Sequence, residues 1–200
     1  MSRNRWLIAA SLLLAVAVPA LTQTTPDPAP VVRAEREFAR SVRGVGVRDG
    51  FLGWLAPTAV VFRPGPVNAR QTYERQPGGW NGLLAWQPVH AAISADGKLG
   101  WTTGPWTWRR DSTAKKVDAH GEYMSVWRQQ ADGSWRTVLD CGIGHPEPTR
   151  IDTSLRISAP ITNGRLGSKP LAARQSLYQA DASFARLCAT EGVPPAIARY

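Results

Sequence analysis

Asp140 and His145 stand at the end of a strand-like run, with Gly142 and Gly144 between them. A carboxylate near an imidazole is a simple pair for general acid/base work, because imidazole titrates near neutrality and the carboxylate can orient it. The competing reading is a Gly-Ile-Gly-His-Pro turn whose histidine bonds a backbone carbonyl. Arg63 also has chemical reach. Its planar fork fits a carboxylate or phosphate on a ligand, or an ion pair with Glu122, Asp140 or Asp49. Aromatic residues surround these candidates. Trp101, Trp106 and Trp108 fall in one run over 99–109, and Trp86, Trp127 and Trp135 lie on neighbouring predicted strands. Tyr123 shares a strand face with Ser125 and Trp127, which gives an aromatic wall with hydroxyl handles. The candidate catalytic residues are therefore Asp140 and His145. The candidate ligand-binding set is Arg63, Trp86, His90, Trp101, Trp106, Trp108, Tyr123 and Trp127.

Other chemistries lack their signatures. His90, His120 and His145 show no paired metal-ligand spacing, so no metal is expected. His90 is placed on a strand face with Trp86 and Ala92, and His120 in a polar loop over 115–121. There is no Gly-x-Ser-x-Gly elbow and no glycine loop ending in Lys-Ser/Thr, and no cofactor is expected. Cys141 and Cys188 are the two cysteines, free to bridge in an oxidising compartment but not obliged to. The chain carries 24 Lys and Arg against 15 Asp and Glu, a net charge of +9. These charges are scattered rather than clustered, which argues for a solvated basic surface and against a nucleic-acid partner.

The elements that must position these residues follow from the chain order. Residues 1–20 read as a cleavable export signal: arginines, then an apolar run, then the small-x-small ending Val18-Pro19-Ala20. The apolar run is shorter than the ~20 residues a spanning helix needs, so a soluble periplasmic or secreted protein is expected, with no stable membrane insertion. Residues 21–32 are a Pro-rich tether. Val32, Phe38, Ala39 and Val42 predict a helix, with Glu35 and Glu37 in its early turns where the dipole favours anions. A second helix is predicted over 48–55, a strand over 58–64, and a short helix capped by Asn68. Four strands follow, over 84–93, 99–109, 122–129 and 135–141, paired through turns at Asp96-Gly97 and Asp132-Gly133. Gly104-Pro105 is the chemistry of a bulge, which leaves open whether Trp101 joins or opposes Trp106 and Trp108.

The domain spans 33–148 and a linker 149–172. Residues 173–200 lie over the first two helices with one constant offset: Phe38 on Phe184, Ala39 on Ala185, Arg40 on Arg186, Gly46 on Gly192, Val47 on Val193, Trp54 on Tyr200. This predicts the helical start of a second, incomplete repeat.

Phe38-Ala39, Gly46-Val47, Phe51-Leu52, the run 60–66, Gly-Trp-Thr-Thr-Gly-Pro-Trp over 100–106, Tyr123 to Trp127, Asp132 to Trp135, and Asp-x-Gly-x-x-His-Pro over 140–146 together resemble the nuclear transport factor 2-like superfamily, in its SnoaL-like and exported branch. The resemblance implies an α+β fold: a cone-shaped, strongly curved antiparallel sheet with helices packed on its concave side and a cavity between. It covers isomerases, dehydratases, cyclases and hydrolases as well as binding and dimerisation modules, so a homodimer and an unidentified small-molecule ligand are both expected. In the steroid-isomerase-like branch the proton-shuttling carboxylate sits near the end of the first strand, and a rough match puts Arg63 there. An arginine stays protonated and cannot be that base. Three functions remain: a small-molecule binder that favours an anionic ligand, an acid/base enzyme using Asp140 and His145, or a non-catalytic dimerisation module.

Overall fold

The chain becomes helical while still inside its proline run. The computed structural model describes residues 26–78, 82–158 and 170–199, so the expected export signal lies outside the described residues. Helix α1 spans Ala29–Val45 with Pro30 in its first turn, where a missing N–H costs nothing. The tether expected over 21–32 therefore ends before Ala29, because Val31 and Val32 are buried in the core. Gly46, at φ +88°, breaks the chain in a backbone region that glycine enters freely, and α2 follows as Val47–Trp54. Next come β1 (Leu55–Phe62), β2 (Pro66–Asn68) and α3 (Ala69–Glu74). Asn68 caps α3 as expected, its Oδ1 accepting the Gln71 N–H at 3.0 Å.

The single strand expected over 84–93 is two, β3 (Leu83–Trp86) and β4 (His90–Ile93), both antiparallel to β5 (Leu99–Arg109). The interruption has a steric cause. A Cβ on Gly104 would lie 2.2 Å from the Gln87 carbonyl oxygen, so the connection between β3 and β4 crosses where β5 carries no side chain. Gly104 and Pro105 make no bulge. Strand β5 pairs without a break with β6 (Ala119–Gln129), so Trp101 faces away from Trp106 and Trp108. Strand β6 in turn pairs with β7 (Trp135–His145). Both Asp-Gly turns form, with Gly97 at φ +70° and Gly133 at φ +82°.

The sheet is mixed rather than wholly antiparallel. Strand β1 runs parallel to β7, and β8 (Arg156–Ser158), inside the expected linker, runs parallel to β4. The order is β2-β1-β7-β6-β5-β4-β8, with β3 beside β5. Register shifts in the β1–β7 and β6–β7 ladders add to the strand twist and bend the sheet. On its inner face α1, α2 and α3 close the core. Phe38 meets Trp86 and Trp127 edge-on, at 4.9 and 6.0 Å between ring centroids, and Phe51 stacks on Tyr73 at 4.5 Å. The fold is thus the curved α+β arrangement that the sequence implies.

Helices α4 (Pro170–Glu191) and α5 (Val193–Arg199) pack against each other and leave Leu177, Tyr178 and Ile197 exposed. Gly192, at φ +91°, separates them as Gly46 separates α1 from α2, at the position the constant offset pairs with it. Among the described residues no helix is long and apolar enough to cross a membrane.

Candidate functional site

Strand alternation decides what faces the inside of the curve. On β6, Gly121, Tyr123, Ser125 and Trp127 are buried while Glu122 and Met124 are exposed. On β7 the partners of Ser125 and Tyr123 are Asp140 and Gly142, so Asp140 points inward. On β1, Val61 pairs in parallel with Asp140, and Arg63, two residues on, emerges on the same face beyond it. From β5 come Trp106 and Trp108, and from β3 Trp86, which pairs with Trp106. Helix α3 supplies Tyr73.

These side chains enclose a cavity of about 320 Å³. Its size is at the small end of ligand pockets and suits a compact molecule of one or two rings. Glycine makes room for the wall: a Cβ on Gly121 would lie 2.3 Å from the Trp106 ring and 2.1 Å from the Ile143 carbonyl oxygen.

Asp140 is the acid on this wall. Burial among aromatic rings disfavours its charge and pushes its pKa from 3.8 up to about 7. The Ser125 hydroxyl, donating to Oδ2 at 2.8 Å, works against that rise, Glu35 adds to it, and the Arg63 guanidinium opposes it. At neutral pH Asp140 is thus divided between acid and carboxylate, the condition in which a group can both give and take a proton. Burial also raises Tyr73 and Tyr123, which stay neutral and can donate. The Tyr123 hydroxyl lies near enough to Thr102 to be affected by it, without a hydrogen bond of good geometry. Arg63 is exposed at the rim, Nη1 donating to the Phe62 carbonyl at 2.7 Å. Of its expected ion-pair partners, Glu122 lies 3.9 Å from His145 and Asp49 lies 3.8 Å from Arg48.

The expected site divides in two. Asp140, Arg63, Trp86, Trp106, Trp108 and Tyr123 come together around the cavity. His145 does not join Asp140: an odd separation along β7 puts it on the outer face, where Nδ1 meets the Pro146 carbonyl and Nε2 is 3.9 Å from Glu122. His90 and Trp101 also lie on the outer face, in edge contact at 5.1 Å, and His90 Nε2 bonds Ser158. His90 therefore does not share a face with Trp86. His120 is on β6 opposite His145, not in a loop. Trp127 is fully buried beneath the cavity rather than lining it. Cys141 and Cys188 are unbridged, and among the described residues no group of His, Cys, Asp and Glu could hold a metal ion.

The residue that the sequence reading misses is Glu35. Because α1 starts at Ala29, Glu35 is not in the first turn facing the dipole but mid-helix, on the stripe of Val31, Phe38 and Val42, with no exposed surface. Trp86 Nε1 donates to its Oε1, while Trp127 Nε1, at 2.9 Å, and the Thr102 hydroxyl donate to its Oε2. An acid at the 31, 35, 38, 42 spacing is the available signal.

No family model matches the chain, and no curated protein matches its sequence. Solved structures are similar to it. A ketosteroid isomerase-like protein from Erwinia carotovora atroseptica is 14% identical, with 60% of this chain and 97% of that chain covered and a TM-score of 0.43. A candidate scytalone dehydratase from Novosphingobium aromaticivorans is 9% identical, with 68% and 94% covered and a TM-score of 0.46. A nuclear transport factor 2-like protein from Cytophaga hutchinsonii is 12% identical, with 57% and 95% covered and a TM-score of 0.42. Structures similar to this chain thus carry ketosteroid isomerase-like, scytalone dehydratase and nuclear transport factor 2-like names.

Proposed function

We propose that this chain is an exported small-molecule-binding protein. Its cavity takes a compact planar compound bearing an oxygen that carries or develops negative charge, and Asp140 exchanges a proton with that compound. One observation carries the reading: a carboxyl that titrates near neutrality shares an aromatic wall with neutral tyrosine hydroxyls and a guanidinium at the rim. Indole faces supply flat apolar contact, Arg63 favours the anionic oxygen, and protonated Asp140 donates to it. The same arrangement could serve acid/base catalysis. Asp140 as carboxylate would take a proton from a carbon next to the charged oxygen, and as acid return it elsewhere, while Arg63 and a tyrosine hydroxyl hold the oxyanion. The pair Asp140 and His145 is not proposed, since the two residues lie on opposite faces.

The test is binding of 2-naphthoate, a two-ring anion, followed by quenching of indole fluorescence. Arg63→Ala should weaken it about tenfold, in line with the loss of one charge-assisted contact. Equal affinity for the wild type and Arg63→Ala, or no binding to the wild type, would refute the reading. Export is supported by the apolar run over 6–21 and is checked by the mass of the protein recovered from the exported fraction.

A further inference from the structure

A second hollow lies at the other end of β6 and β7. It opens between the first half of α1, the end of α2 and the turn joining β6 to β7, has a volume of about 670 Å³, and is lined among others by Arg33, Glu37, Trp54, Gln129, Trp135 and Arg136. Gln129 follows Tyr123 along β6 at a distance of about 20 Å, from the rise of an extended strand. The groove therefore shares no lining residue with the Asp140 cavity.

Its polar groups are largely unused by the fold. Arg33 and Glu37 stand one turn apart on the exposed side of α1, and neither side chain has an ion pair or hydrogen bond among the described residues. Arg136 reaches across from β7. Its Nη1 donates to the Gly53 carbonyl, one of those that the end of α2 leaves without a helical partner, and its remaining N–H groups stay available. Two indoles flank these charges. Trp54 packs inward, 6.1 Å from Phe38 and 5.9 Å from Trp127 between ring centroids, and gives its N–H to the Ser41 hydroxyl at 3.0 Å. Trp135 is the opposite case: a half-buried ring that contacts no other ring and whose indole N–H has no acceptor among the described residues.

Donors thus outnumber acceptors. Two guanidiniums and an indole N–H face the single Glu37 carboxylate, while nearby Asp132 is held by the Ser134 N–H at 2.9 Å and the Ser134 hydroxyl at 2.7 Å. Guanidinium forks match a carboxylate, and an indole offers flat apolar contact beside its N–H. Glu37 narrows the choice, because a carboxylate among the arginines repels a dense anion such as phosphate but accepts hydroxyl protons. A ligand with a carboxylate, hydroxyl donors and a flat C–H face is an acidic sugar. We propose that this groove binds a uronic acid unit of an acidic oligosaccharide: Arg33 and Arg136 hold its carboxylate, Glu37 accepts its hydroxyls and its ring lies on Trp135. With Arg33, Glu37 and Gln129 exposed, the sugar chain can run on past the site. This site is independent of the Asp140 cavity.

The experiment is titration of the full chain with trigalacturonate, followed by calorimetry and by the NMR resonance of the Trp135 indole N–H, assigned by its disappearance in Trp135→Phe. Binding should shift that resonance. Arg33→Ala, on an exposed helix face where no packing is lost, should weaken the affinity about tenfold, as loss of one charge-assisted contact requires. Maltotriose, a trimer without carboxylates, should bind at least about tenfold more weakly than trigalacturonate. No binding to the wild type, equal affinity in Arg33→Ala, or equal affinity for maltotriose would each overturn the proposal. So would a Trp135 resonance that stays fixed while the trisaccharide binds, which would place the sugar elsewhere. Displacement of trigalacturonate by inorganic phosphate at equal concentration would reveal a general anion patch and overturn it as well.

Discussion

Replacing Asp140 by asparagine should stabilise the fold above neutral pH and leave it nearly unchanged below about pH 4. The native carboxyl has its pKa raised from 3.8 to about 7. Between those values the unfolded chain has released the proton and the native chain has kept it, so stability falls as pH rises through this window and is flat below and above it. At about 1.4 kcal/mol for each pKa unit, ionising Asp140 costs the fold about 4 kcal/mol. Water entering the open cavity screens part of this, and about 2 kcal/mol is a working figure. Asparagine keeps the shape and accepts the Ser125 hydrogen bond without the charge. In a chain of this size a gain of about 2 kcal/mol raises Tm by about 4–8 °C. The assay is thermal and urea unfolding of both proteins at about pH 3.5 and about pH 9, the two sides of the window. Equal stability of variant and wild type at the higher pH, or a variant weaker by the same amount at both, would refute the assignment of a buried, proton-holding Asp140.

Two further substitutions test the geometry of the wall. Gly121→Ala places a methyl 2.1 Å from the Ile143 carbonyl oxygen and 2.3 Å from Trp106. It should cost about 1–3 kcal/mol by overpacking and weaken 2-naphthoate binding as Trp106 is pushed into the cavity, read by urea unfolding and fluorescence quenching. His145→Ala should change neither the Asp140 titration nor probe affinity, because the imidazole is on the outer face; a shift of the Asp140 midpoint measured by NMR would contradict that placement.

What the sequence can reveal depends on whether period alone decides it. The alternation that puts Trp106 with Trp108 and Tyr123 with Ser125 is local, as are the Asp-Gly turns and the Asn68 cap, and all are legible from residue order. The partnership of Asp140 with Arg63 is only half legible, since it depends on β1 lying parallel to β7, a long-range pairing that no local pattern encodes. His145 misleads because nearness in sequence along a strand is not nearness in space: an odd step changes face. The β3–β4 break depends on Gln87 meeting Gly104, a contact across strands. Glu35 reads as a dipole-facing acid only if the helix starts later than it does. Its indole partners lie on β3 and β6, far along the chain, and only the fold brings them together.

The central claim, that an anionic ligand shares its cavity with a titrating Asp140, is tested most directly by the affinity of the wild type for 2-naphthoate as a function of pH, measured by calorimetry. Ionised Asp140 would repel the ligand, so affinity should hold level in mild acid and fall by up to about tenfold per pH unit above about pH 7, with proton uptake on binding in that range. In Asp140→Asn the dependence should vanish. An affinity for the wild type that is the same from mild acid to about pH 9, with no proton taken up, would contradict the account.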